Sequence, residues 1–90
     1  MEKNDYVWIV QCEGCLSTES FHDFEAVFAT EEGAKRCIKD CASQLIDNIG
    51  QYIDFEEGYE VQEEYAYWEV TSKKWSDLYI RYFYERVLVQ

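Results

Sequence analysis

The chain has 90 residues, a length that sets one domain around one core. Nineteen Asp and Glu against eight Lys and Arg give a formal net charge of −11 at pH 7, which argues against direct contact with nucleic acid or anionic lipid. Three Trp, eight Tyr and five Phe separate the chain from disordered acidic tails, which are poor in aromatics. No apolar run reaches the ~18–20 residues of a membrane span. Met1-Glu2-Lys3-Asn4-Asp5 lacks the basic start and apolar stretch of a signal peptide. These features predict a soluble, cytoplasmic domain.

Residues 6–12 are β-branched and aromatic on both faces, as a covered central strand requires. Residues 13–20 are polar with one glycine and read as a loop. Residues 24–29 form a second short strand, antiparallel to the first. Thr30 then fits a helix N-cap, and Glu31 and Glu32 suit the positive end of the helix dipole. Ala34, Cys37, Ile38, Cys41, Leu45 and Ile49 fall in one stripe at helical spacing, with Asp40, Gln44, Asp47, Gln51 and Asp54 opposite. Gly58 is a plausible stop.

Residues 59–71 read as one strand with imperfect alternation, Tyr65 and Tyr67 on one face and Ala66, Trp68 and Val70 on the other. Residues 72–74 suit a turn. Residues 75–89 favour a long final strand, although Trp75, Leu78, Tyr79, Tyr82 and Phe83 also match helical spacing. The expected architecture is α+β: a four-stranded antiparallel sheet in the order β-β-α-β-β, with one long helix packed on one face. In the final strand Tyr79, Phe83, Val87 and Val89 share one face, while Leu78, Ile80, Tyr82, Tyr84 and Leu88 share the other. One helix covers only one of these faces. The second invites a homodimer or another docked chain.

Charge is unevenly placed. Residues 1–39 hold eight acids and four bases, residues 40–72 nine acids and no base, and residues 73–90 two acids and four bases. The nine are Asp40, Asp47, Asp54, Glu56, Glu57, Glu60, Glu63, Glu64 and Glu69. The three aspartates recur every seven residues, at ~10.5 Å intervals along one helix face. With the strand that follows they are expected to form one continuous negative surface for a basic partner, flanked by Tyr65 and Tyr67. Acidic surfaces also serve solubility alone. The spaced oxygen ligands and central glycine of a calcium loop are not found.

Cys12 and Cys15 form a CxxC, and Cys37 and Cys41 a CxxxC. Four thiolates in two close pairs could hold tetrahedral zinc. Cys37 and Cys41 also match the buried helix stripe, where free cysteine acts as a small hydrophobe. A redox CxxC opens a helix, whereas this pair ends a strand. His22 is the one histidine, beside Asp23 and near Cys15 in sequence, and it gives weak grounds for a nucleophile and base. With no phosphate cradle, nucleophile elbow or HExxH, no enzyme and no cofactor are expected.

The segment Val27-Phe28-Ala29-Thr30-Glu31-Glu32-Gly33-Ala34-Lys35 resembles the strand-to-helix junction of many small phage and bacterial domains. In size and charge the chain is similar to phage-encoded anti-defence proteins, including anti-CRISPR inhibitors and DNA mimics. That grouping shares no motif, so no residue role is carried over. The resemblance implies a non-catalytic inhibitor that occludes the nucleic-acid site of a basic partner, such as a CRISPR effector or other defence nuclease. A zinc-stapled adaptor and a homodimeric accessory protein are the competing expectations.

Overall fold

Tyr, Val and Ile are concentrated in segments that pair into one antiparallel sheet, in a computed structural model that describes residues 5–89. The strands are β1 (Asp5–Cys15), β2 (Ser20–Phe28), β3 (Tyr59–Glu63), β4 (Tyr67–Ser72) and β5 (Tyr79–Val89), in the spatial order β2-β1-β5-β4-β3. One helix, α1 (Glu31–Asp47), joins β2 to two 3-10 turns, Ile49–Gln51 and Ile53–Phe55, which lead into β3. The long β1–β5 pair stretches the molecule to 56 × 21 × 18 Å.

The observed order is therefore β-β-α-β-β-β with five strands, which corrects the expected four-stranded β-β-α-β-β sheet. The stretch expected as one strand is a hairpin. Residues 64–66 turn it, with Glu64 N–H donating to Tyr67 O at 2.9 Å, and Val61 then pairs with Val70. The turn has no Gly, Pro or Asn to announce it. Strand, not helix, is the state of Tyr79–Val89. β1 continues to Cys15, so the connection to β2 is only residues 16–19, closed by Leu16 N–H on Glu19 O at 2.7 Å.

Thr30 caps α1 as its sequence position suggests: Oγ1 accepts from Gly33 N–H at 3.1 Å. The helix ends at Asp47, eleven residues before Gly58, the stop expected from sequence. Asn48 Nδ2 donates to Gln44 O at 2.8 Å, satisfying one of the last-turn carbonyls. The 3-10 turns then bend the chain back and bring Phe55 into the core at 3% exposure.

Ala34, Ile38, Ala42 and Leu45 are the buried stripe of α1. They lie over Val10 and Cys12 of β1, Trp68 and Val70 of β4, and Ile80 and Tyr84 of β5. Val10 and Val70 are wholly buried, each stabilising the fold by ~1.5–3 kcal/mol relative to exposure. At Gly14 the packing is tightest. An added Cβ would stand 2.7 Å from Phe21 Cζ and 2.8 Å from Tyr79 O. Because a backbone carbonyl cannot swing aside, Gly14→Ala should lower the unfolding free energy by about 1–3 kcal/mol in urea denaturation.

Candidate protein-binding surfaces

The acidic residues do not form one face. Asp40 and Asp47 are exposed on α1, but Asp40 lines the cleft toward Phe28 of β2, and Asp47 lines the cleft toward Glu63. Asp54 lies outside the helix, in the second 3-10 turn, only 5% exposed. The expected row of three aspartates on one solvated helix face is thus broken, because α1 stops at Asp47. Internal cations take two more: Lys74 Nζ pairs with Glu57 Oε2 at 2.7 Å, and Arg81 Nη2 with Glu69 Oε2 at 3.5 Å. Glu56, Glu60, Glu63 and Glu64 stay exposed along the margin formed by edge strand β3 and its approaches. Tyr65 and Tyr67 part company. Tyr65 sits in the hairpin turn, 72% exposed, with Lys35 Nζ 4.4 Å from its ring centroid. Tyr67 points to the opposite side of the sheet, 5.4 Å from the Arg81 guanidinium.

That opposite side is the sheet face α1 does not cover. The register lays Glu13, Arg81 and Glu69 in one row across β1, β5 and β4. Arg81 Nη1 donates to Glu13 at 2.9 Å, and its guanidinium lies 5.3 Å from the Tyr79 ring. Toward the far end of β1 and β5 the same face becomes apolar, with Phe24 62%, Val27 50%, Val87 36% and Val89 45% exposed. Tyr79, Phe83, Val87 and Val89 do share this uncovered face.

The four cysteines are not brought together. In a strand, residues three apart point to opposite faces, so Cys12 is buried beneath α1 while Cys15 lies on the uncovered side, where Ser20 Oγ donates to its sulfur at 3.6 Å. Among the described residues no group of three or more His, Cys, Asp and Glu could hold a metal ion. The zinc set Cys12, Cys15, Cys37 and Cys41 is corrected on that geometry. All four thiols are free. His22 lies 2.7 Å from Gln11 Oε1 and 6.0 Å, centroid to centroid, from Phe83.

A groove at one end of the sheet escaped the sequence reading. The Ser17 turn, the second 3-10 turn and the β4–β5 connection enclose about 420 Å³ between Ile53, Asp54 and Trp75, with Glu56, Glu57 and Asp77 at its rim. Its parts come from three distant segments, of which Asp54, Glu56, Glu57 and Trp75 stand out in the sequence, whereas Ser17 and Asp77 do not.

No protein-family model matches the chain, and no curated protein or solved structure is significantly similar to it. Among the described residues no helix is long and apolar enough to cross a membrane.

Residue chemistry separates the thiols sharply. Burial, with the nearby Glu25 charge, pushes Cys12 from 9.0 up to about 12. Burial and the neighbouring Cys37 do the same for Cys41. Iodoacetamide at pH 8 should therefore alkylate Cys15 first and spare Cys12 and Cys41, as peptide mass mapping would show. Above pH 9 the unfolded chain releases these thiol protons while the folded chain keeps them. Stability should accordingly be full below pH 9 and fall as pH rises toward 12, followed by circular dichroism.

Proposed function

We propose that this is a non-catalytic binding module whose acidic β3 margin docks on the nucleic-acid-binding surface of a basic protein and occludes it. One observation carries the reading. Among the described residues the ion pairs engage Glu13, Glu57 and Glu69, leaving Asp47, Glu56, Glu60, Glu63 and Glu64 outside any ion pair, with Lys35 and Lys39 bordering the clefts beside Asp47, Glu63 and Glu64. These exposed groups border one edge of the sheet, where an acidic field accelerates encounter with a cationic surface. Exposed Tyr65 and Trp75 flank the margin and supply the aromatic area that slows release. The chain's size and charge, which resemble those of phage anti-defence proteins, favour a defence nuclease of the CRISPR-effector kind as that partner. The apolar end of the uncovered face favours a second reading, a homodimer, which light scattering tests directly.

Carboxylates standing in for phosphates must compete with DNA and obey salt. A captured bacterial partner should be displaced by duplex DNA and lost between ~50 and ~200 mM salt. The variant Asp47→Lys, Glu60→Lys, Glu63→Lys, altered only at exposed positions, should keep its circular dichroism spectrum and capture nothing. Undiminished capture by that variant, or indifference to DNA, rejects the proposal.

A further inference from the structure

The groove beside Trp75 has an apolar wall, its charged lining groups are all carboxylates, and one cation, Lys74, stands at its rim. Ile53 is 70% and Trp75 46% exposed, with Leu78 buried beneath them. Asp54, Glu56, Glu57 and Asp77 provide the charge. Asp54 is the unusual member. It is 5% exposed, yet both its oxygens share a single donor, Ser17 N–H, at 3.4 Å each. Firm N–H···O bonds are ~2.7–3.2 Å, and an ionised carboxylate accepts about four hydrogen bonds. No cation lies within ion-pair distance of it among the described residues. Burying a charge so poorly met costs stability, and a cationic ligand would recover that loss.

The rim already displays the matching chemistry. Lys74 Nζ sits 2.7 Å from Glu57 Oε2 and 4.6 Å from the Trp75 ring centroid. This is a cation held by a carboxylate and an indole together.

We propose that this groove accepts an arginine side chain of the partner protein. The assignment rests on the basic-partner reading above and names its anchor. A planar guanidinium matches the two oxygens of Asp54 as a fork and stacks on the indole of Trp75. An ammonium is a compact, strongly hydrated point charge and does neither as well.

The test is titration of the full chain with the capped tripeptide acetyl-Ala-Arg-Ala-amide, followed by 1H–15N NMR. Saturable shifts are expected at Ser17, Asp54, Asp77 and the Trp75 indole N–H. The neutral citrulline analogue should not bind. Trp75→Leu and Asp77→Asn, both at exposed positions, should weaken binding about fivefold or more, whereas Glu63→Gln on the β3 margin should not. Shifts spread along the β3 margin instead of the groove, or equal binding of citrulline, overturn the site. Equal binding of the lysine tripeptide overturns the guanidinium assignment. If the arginine peptide binds here and no basic protein is captured, the docking reading falls and the pocket stands. Capture that persists in Trp75→Leu and Asp77→Asn, with no peptide shifts, keeps the docking and removes the anchor.

Discussion

In β1, β4 and β5 the even-numbered side chains lie beneath α1 and the odd-numbered ones face away, and the character of both sheet faces follows from that parity. Pairing Val10 with Tyr84 and Val70 with Ile80 locks the three central strands to a common phase. A slip of one residue would send Val10, Val70 and Ile80 into solvent and bring Glu13, Glu69 and Arg81 under the helix. A 17-residue helix seals a single side. The other side must be stable while wet. It meets that demand with the Glu13–Arg81–Glu69 row, in which the guanidinium is shared between two carboxylates and lies near the Tyr67 and Tyr79 rings. Arg81 Nε, buried in this row, makes no hydrogen bond among the described residues.

Parity also explains what could and could not be read from the sequence. The core stripe of α1 was legible because Ala34, Ile38 and Leu45 recur at a helical period and Thr30 announces the start. The end was not. Asp47, Gln51 and Asp54 continue the polar phase of the helix past Asn48, and only the core position of Phe55 forces the chain to turn. The β3–β4 hairpin was hidden because its turn is built from Glu64, Tyr65 and Ala66, none of which favours a turn by itself. The break in alternation near Glu63 was its one trace. The CxxC looked like a metal half-site by spacing, but once β1 extends through Cys15 the same spacing guarantees that its thiols diverge.

The surplus of negative charge is handled differently in different places. Glu13, Glu57 and Glu69 are neutralised inside the molecule. The Glu31 carboxyl is held below its ordinary range by the hydroxyls of Tyr84 and Tyr65, with Tyr84 Oη donating at 2.6 Å. Along β3 no carboxylate is ion-paired among the described residues. An edge strand bears unpaired backbone groups that invite other strands, and Glu60 and Glu63 discourage that pairing by repulsion. Protection of the edge and the proposed docking on a cationic surface therefore draw on one charge distribution, which sets copies of this edge against one another.

In the proposed docking, long-range charge and local fit divide the work of recognition. The exposed carboxylates act over about a Debye length, ~8–10 Å at physiological salt, and cannot distinguish one basic surface from another. Discrimination requires a contact that excludes water, and among the clefts along the acidic margin the one at Trp75 pairs an apolar wall with the buried carboxylate of Asp54. There Asp54, 5% exposed, meets only the Ser17 N–H among the described residues, so a cation that reaches it adds a partner the fold does not supply. Where burial has removed water from a carboxylate without giving it a counter-ion, affinity depends on shape as well as sign.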